Sequence, residues 1–341
     1  MSANQRNIMS GPKVGMIGNG SWATAVVKIL KDNKKSKSVI WWVRSEETAE
    51  HLKKYGHNPN YLSEVRLNIK KENIRTNAAE VIEQSDIVIL NTPAAYLKDA
   101  LKKVPRKAFQ DKIVVSAIKG IVPESNQIVG DYLKDHYKVP IENIVVIGGP
   151  CHAEEVAQER LSYLTIASTG TQNAKKIAAM LETRYIKTIV SDDIYGTEYA
   201  AVLKNIYAVA GGICNGIGFG DNFQAVLVSN AIREMEHFMD KIHPIDRNIM
   251  ESAYLGDLLV TSYSQHSRNR TFGNMIGKGY RVRSAQLEMN MVAEGYYASS
   301  CIQEICKKHA IKLPICDAVY RILYQHQPPK EEMDKLAETL N

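Results

Sequence analysis

The segment KVGMIGNGSWATAVVKIL, Lys13 to Leu30, constrains the fold more than any other part of the chain. An apolar, strand-like run ends at Gly18, and an apolar helical pattern begins at Trp22. The turn between them, Gly18-Asn19-Gly20-Ser21-Trp22-Ala23, has the form G-x-G-x-x-A. Gly18 permits a tight turn, and Gly20 leaves no side chain where a pyrophosphate must approach the backbone. The third small residue only has to let the helix pack on the strand, which Ala23 does. Free N–H groups at the helix N-terminus then face the anion. A glycine turn of this kind is common in isolation. At the head of a strand–helix series it reads as a dinucleotide-binding turn.

That series follows. Strand-like runs recur as KVGMIG, SVIWWV, DIVILNT, KIVVSAIKG, NIVVIGG and YLTIAS, with TIVS (Thr188 to Ser191) closing the sheet. Several are apolar on consecutive residues, so both faces should be buried. Helical patterns lie between them at Trp22 to Lys31, Glu46 to Lys54, Ala94 to Lys103 and Glu124 to Asp135. The alternation predicts a parallel sheet with helices on both faces. Tyr55 to Ile74 reads as a long irregular connection, a candidate flap. After Ser191 the patterns turn helical: Gly196 to Asn215, Asn222 to Met239, Ile249 to Tyr263, Ala285 to His309 and Ala318 to Tyr324, then an amphipathic tail. The predicted fold class is α/β: a Rossmann-type doubly wound sheet over residues 13–191, then an all-α domain over 192–341. Residues 1–12 read as a disordered leader. No Pro- or Ser-rich linker separates the domains, so they should pack closely.

Composition removes other classes. Of 341 residues, 45% are hydrophobic and 23% charged, ordinary for a soluble globular protein. No apolar run approaches the roughly 18 residues of a spanning helix, and the N-terminus lacks an apolar signal region. A cytoplasmic protein with no integral membrane segment is expected. The five cysteines form no C-x-x-C pair and have no histidines at ligand spacing, so reduced thiols and no metal are expected. The net charge of +6 includes KDNKKSK (Lys31 to Lys37), a solvated loop. Basic residues are not interleaved with aromatics on one face, so nucleic acid is not the expected partner. A mild positive balance fits ligands that carry phosphate.

Several residues sit where chemistry would be done. The second strand ends at Arg44, about 20 residues after the glycine turn, where Asp or Glu would mark selection of NAD. Arginine suits a 2′-phosphate, which admits NADP; it also fits a side chain that merely faces solvent. Lys119 follows a buried strand at the edge where ligands bind, unless it is a surface lysine. Gly148-Gly149-Pro150 ends another strand, and a helix is expected from about Cys151. No His/Asp pairing supports Cys151 as a nucleophile. Lys204 and Asn205 interrupt a helix that is apolar on nearly every side. A charge there costs several kcal/mol unless paired, and desolvation would bring a lysine toward neutral pKa. Snorkelling to a domain edge is the other option. Asp257, in a second apolar helix, could pair with it. Arg268, Asn269 and Arg270 read as a polar loop with a fork for phosphate, and Glu294 opens a further helix.

GNGSWATA, SAIKG, GGPCHAEE, LKNIYAVAGGICNGIGFGDN, GDLLVT, SRNRTFG and AEGYYAS, in this order, resemble the NAD(P)-dependent glycerol-3-phosphate dehydrogenases of the bacterial type, from about Lys13 to Tyr324. The resemblance implies that Lys204 is the general acid/base and that Asp257 orients it. Lys119 would lie against both substrate and cofactor. Gly149, the position of Cys151, Asn205, Ser267, Arg268 and Asn269 would hold the phosphate substrate. Gly18, Gly20, Ser21, Trp22, Arg44, Ala153, Val292 and Glu294 would contact NADP or NAD, with Arg268 close by. It also implies a supply of glycerol 3-phosphate for phospholipid synthesis; a homodimer through the helical domain is the expected assembly. Three positions depart from the family pattern: Ala23 for glycine, Cys151 for Ser or Thr, and Ala293 for a larger aliphatic residue. Sulfur hydrogen-bonds weakly, which puts the Cys151 contact in question. The rivals are a related dehydrogenase of hydroxy acids, for which a phosphate clamp would be idle, and a catalytically dead dinucleotide sensor, for which Lys204 and Asp257 would be idle.

Overall fold

A computed structural model describes residues 11–33, 35, 38–67, 69–289 and 291–341. The leader expected over 1–12 lies outside the described residues apart from Gly11 and Pro12, as do Lys34, Ser36 and Lys37 of the basic loop. The first half alternates strand and helix: β1 (Lys13–Ile17), α1 (Ser21–Asn33), β2 (Ser38–Trp42), α2 (Glu46–Tyr55), β3 (Ile74–Arg75), α3 (Ala78–Glu83), β4 (Ile87–Leu90), α4 (Leu97–Leu101) and β5 (Ile113–Ser116). A hairpin, β6 (Ile121–Val122) and β7 (Gln127–Ile128), precedes α5 (Val129–Tyr137), β8 (Ile144–Gly148), α6 (Ala153–Ala157), β9 (Ser162–Ala167), α7 (Thr171–Leu181) and β10 (Ile186–Ser191). Among the described residues only helices follow: α8 (Ile194–Gly216), α9 (Asp221–Ile242), α10 (Asp257–Tyr263), α11 (Arg268–Gly277), α12 (Val282–Glu288), α13 (Glu294–His309), α14 (Pro314–Tyr324) and α15 (Pro329–Ala337).

The eight-stranded sheet has the order β10-β9-β8-β5-β4-β1-β2-β3. All seven strand runs expected from the sequence are present. From β3 across to β8 the strands are parallel. Successive side chains divide between two apolar cores: Val14 and Met16 of β1 face α1, α6 and α7, while Ile17 faces the layer of α3, α4 and α5. The order reverses at β1, between β2 and β4, so the ligand crevice of an open α/β sheet opens at the carboxyl ends of β1 and β4.

Four expectations are corrected. The sheet is not wholly parallel, because β9 runs antiparallel to β8; the chain returns through the short α6 without a full crossover. The helix expected from Glu124 begins only at Val129. Before it, Glu124 and Asn126 take φ of 66° and 52° in the hairpin turn, a left-handed backbone that a helix cannot include. The expected helix from Ile249 is a one-turn π-helix, Ser252–Gly256, running into α10. The helix expected over Ala285 to His309 breaks between α12 and α13.

Helix α8 is the axis of the second half, buried along almost its whole length and ringed by α9, α10, α11, α13 and α14. Glu198 reaches from it to accept a 3.0 Å hydrogen bond from the N–H of Gly130 in α5, joining the helical half to a helix of the first half. Against α11 the approach is close enough that a Cβ on Gly273 would fall on the Val209 carbonyl oxygen. Gly273→Ala is therefore expected to push the helices apart at a cost of about 1–3 kcal/mol. Thermal unfolding followed by circular dichroism checks this, and an unchanged midpoint would contradict it.

Candidate active site

Gly18 follows β1 with φ of +127°, and a Cβ there would fall on the Asn91 carbonyl oxygen, so only glycine fits. The Trp41 indole N–H donates to the Gly18 carbonyl at 2.6 Å. Thr24 of α1 donates its hydroxyl to the Gly20 carbonyl at 2.9 Å. Asn58 then donates to the Asn19 carbonyl and to the Thr24 hydroxyl, both at 2.9 Å. Asn58 belongs to the connection read as a flap and is fully buried, so that segment is pinned to the glycine turn at this point. Its neighbours Pro59, Asn60 and Tyr61 wall the cleft.

The cleft has two connected parts, sharing Gly20, Ser21, Asn91 and Arg268. The outer part is a cavity of about 890 Å³ between Gly18, Arg44, Tyr61 and Val292, at the upper end of what small-molecule pockets offer. Arg44 is exposed at its rim. The inner part is narrower and is walled by Trp22, Lys119, Cys151, Ala153, Ser267 and Glu294. Lys204, Asn205, Asp257 and Asn269 also face it. Of the residues expected at the site, Gly149 alone does not line the cleft; Lys119 donates to its carbonyl at 2.8 Å.

Lys204 is 4% exposed and Asp257 1%, and they form a buried ion pair through Nζ and Oδ1. The other carboxylate oxygen of Asp257 lies 3.3 Å from Lys119 Nζ. Burial lowers the Lys204 pKa to about 7, with Lys119 adding to the effect and the attraction of Asp257 opposing it. The backbone is held by a chain of amides. Asn205 donates to the Lys119 carbonyl at 2.8 Å, Asn269 donates to Asn205 Oδ1 at 2.8 Å, and Gly295 N–H donates to Asn269 Oδ1 at 2.9 Å. The four segments that meet here therefore cannot move independently of one another.

Arg268 and Asn269 are not on a loop. They open α11, where the Ser267 hydroxyl caps the helix by accepting from the Arg270 N–H at 3.3 Å. Arg268 borders both parts of the cleft, and its guanidinium makes no hydrogen bond or ion pair among the described residues. The helix at the strand end starts at Ala153, two residues later than expected. Burial pushes the Cys151 thiol up to about 12, which leaves it inert as a nucleophile. His152, half-buried, is lowered to about 4 by desolvation and by the nearby charges of Lys204 and Lys119, and is neutral at physiological pH. The sequence reading missed Asn58, Tyr61, Asn91, Thr92 and His266 as neighbours of the site; the polar Asn91-Thr92 ending the apolar strand DIVIL was the available signal.

The lining fits a dinucleotide. A Cβ on Gly20 would meet no heavy atom within 4 Å, so the turn presents bare backbone to the cleft. Among the described residues, eleven buried side-chain polar atoms have no partner, and six of them belong to residues lining this cleft: Trp22, His51, Asn91, Thr92, His152 and Glu294. Buried polar atoms are normally paired, so their concentration here marks a surface built to be completed by a polar ligand. Glu294 accepts from the Ala94 N–H at 2.8 Å through Oε1, while Oε2 is one of the six. Burial raises its carboxyl to about 7, against that hydrogen bond and the attraction of Arg268.

Residues 13–174 match the N-terminal part of the NAD-dependent glycerol-3-phosphate dehydrogenases, and residues 193–334 match their C-terminal part. The chain belongs to this family. A glycerol-3-phosphate dehydrogenase [NAD(P)+] of Staphylococcus carnosus is 32% identical over 95% of this chain and 97% of its own. The Bacillus subtilis enzyme of the same name is 30% identical over 95% of this chain and 93% of its own. The crystal structure of glycerol-3-phosphate dehydrogenase from Coxiella burnetii shares the fold, with a TM-score of 0.88 at 24% identity over 96% of this chain and 99% of that one. Ala23, the residue read above as a departure from the family's glycine, is fully buried against the sheet.

Proposed function

We propose that this protein interconverts sn-glycerol 3-phosphate and dihydroxyacetone phosphate with NADP or NAD. The observation that carries the reading is the buried Lys204–Asp257 pair on the inner wall of a cleft whose two parts join at the glycine turn. The glycine turn and the N-terminus of α1 would hold the pyrophosphate, with Ser21, Trp22, Ala153, Val292 and Glu294 along the rest of the dinucleotide. Arg44, exposed at the rim of the outer part, would contact the 2′-phosphate of NADP. A bound nicotinamide supplies hydride to the substrate C2, or takes it away in reverse. Lys204 would give its proton to the C2 oxygen during ketone reduction and recover it during alcohol oxidation, Asp257 keeping the ammonium directed and charged. Lys119, Ser267, Arg268 and Asn269 would clamp the phosphate and hydroxyls, with Gly149, Asn205 and the weak thiol of Cys151 beside them. In the cell, the expected role is cytoplasmic supply of glycerol 3-phosphate for phospholipid synthesis, by a homodimer. No described helix is long and apolar enough to cross a membrane.

With Lys204 at about 7, reduction needs the protonated amine and oxidation the neutral one. The kcat for ketone reduction should therefore fall as pH rises through about 7, and the kcat for oxidation should rise over the same interval. Flat profiles in both directions would contradict the assignment.

The phosphate clamp is tested by comparing dihydroxyacetone phosphate with unphosphorylated dihydroxyacetone, in the wild type and in Arg268→Leu. Loss of a charge-assisted fork should raise the KM for the phosphate ester by about 10–100-fold and leave the weak activity on dihydroxyacetone unchanged. Equal activity of the wild type on both would favour an unphosphorylated hydroxy substrate.

A further inference from the structure

The two members of the Lys204–Asp257 pair come from elements that meet a second time, on the far side from the cleft. Lys204 rides on α8, whose N-cap is Asp193, about 16 Å back along the helix axis at 1.5 Å per residue. Asp257 is the first residue of α10, directly after the π-helical turn Ser252–Gly256. The Asp193 carboxylate, 6% exposed, joins these elements. It accepts from the Tyr254 hydroxyl of the π turn at 2.7 Å. It also accepts from Arg247 Nε at 2.6 Å and Nη2 at 3.3 Å, and from the Gly196 N–H of α8 at 2.9 Å. Arg247 in turn donates to the His243 carbonyl at 3.3 Å, and its side chain is 4% exposed. The acceptor is thus fully used, and burial is outweighed by these hydrogen bonds, which hold the carboxyl below its ordinary pKa.

Such a tie has a purpose here. Single π turns are rare, and they recur at functional sites. This one directly precedes a carboxylate that must meet a buried lysine, with Tyr254 three residues before it. On its other side Gly256 packs against Pro150, a contact of 3.6 Å for a Cβ placed there, next to the Gly149 carbonyl that Lys119 holds. The turn is therefore wedged between the tie and the strand-end segment that carries Lys119's acceptor.

We propose that Asp193, Arg247 and Tyr254 are positioning residues for catalysis, fixing the π turn to the start of α8 so that Asp257 is held against Lys204. None of the three lines the cleft. The inference rests on the proton relay proposed above, and it goes further by naming what sets the relay's geometry. If the tie loosens, Asp257 withdraws from Lys204. The other titratable and charged groups around the amine are Lys119 after β5, Cys151 and His152 after β8, Glu154 on α6, Arg268 on α11, His266 before it and Glu294 on α13. No other carboxylate among these is hydrogen-bonded to Lys204, and Lys119 disfavours its charge. Loss of the Asp257 contact therefore lowers the pH at which Lys204 loses its proton.

The test is the pH profile of kcat for ketone reduction in the full-length protein, for the wild type, Tyr254→Phe, Arg247→Lys and their double variant. Asp257→Asn reports on the relay itself. Glu234→Gln serves as a structural control, since Glu234 accepts from Ile315 N–H at 2.8 Å and Cys316 N–H at 3.1 Å, elsewhere in the helical domain. Tyr254→Phe deletes one hydroxyl and is the variant most certain to fold. Thermal midpoint and dinucleotide affinity are measured for each. Tyr254→Phe is expected to lose roughly tenfold in kcat with KM little changed, and its high-pH limb should move down by about one unit. Arg247→Lys should retain part of the activity, and the double variant should approach Asp257→Asn. Glu234→Gln should lose stability without moving the limb. If Asp257→Asn moves the limb and the tie variants do not, the tie is structural only and the proposal fails. If Asp257→Asn itself leaves kcat and the limb unchanged, the relay fails first.

Discussion

Lys204→Met is expected to lower kcat by about 10²–10⁴-fold, the range spanned by loss of a positioned general acid, and to leave dinucleotide affinity nearly as it was. Lys204 is buried against Asp257 at the inner end of the cleft, whereas the glycine turn lies at the junction with the outer end. Removing the amine leaves the Asp257 carboxylate with Lys119 at 3.3 Å as its remaining partner, so the variant retains a compensating charge. Methionine fills a similar volume. Single-turnover kinetics, together with fluorescence titration of the reduced dinucleotide, separate the two effects. A variant that turns over at the wild-type rate would remove Lys204 from the mechanism, and one that lost cofactor binding instead would make it a structural residue.

Gly20→Val should do the reverse. Space for a Cβ is open there, with no heavy atom within 4 Å, and the residue does not have a left-handed φ. The isolated protein should therefore fold with its thermal midpoint unchanged. The added side chain would stand in the path of a pyrophosphate approaching the turn. The expected loss in dinucleotide affinity is about 100-fold or more, equivalent to about 2.7 kcal/mol. Calorimetric titration with NADPH and NADH measures it. Undiminished affinity would mean that the dinucleotide does not cross this turn. The contrast with Gly18 is instructive, since a Cβ there would meet backbone and any substitution should damage the fold itself.

Much of this architecture is legible in the sequence because its signals are local. Strands buried on both faces appear as unbroken apolar runs, and the doubly wound region shows them between helical patterns. Lys204 was visible as a charge in a helix apolar all round, and burial of that helix is the reason its pKa falls. What was lost depends on pairing or on weak periodicity. Nothing in YLTIAS states whether β9 runs with β8 or against it, since both faces are covered in either case. Helix α11 buries only a few side chains, Phe272 and Ile276 among them, and leans on α8 through glycine, so its polar sequence resembled a loop; Ser267 as N-cap was the one local sign. The Asn58 anchor and the Asp193–Arg247–Tyr254 tie join residues 34 to 61 positions apart, a separation at which a single sequence carries no periodic signal.

The most direct measurement is the loss of reduced-nicotinamide absorbance on adding dihydroxyacetone phosphate to the purified protein, with NADPH and NADH in parallel and the product identified by chiral assay. Turnover with at least one cofactor, yielding sn-glycerol 3-phosphate and abolished by Lys204→Met, is the predicted result. A folded protein that binds dinucleotide in the cleft but shows no consumption with either cofactor would contradict the account.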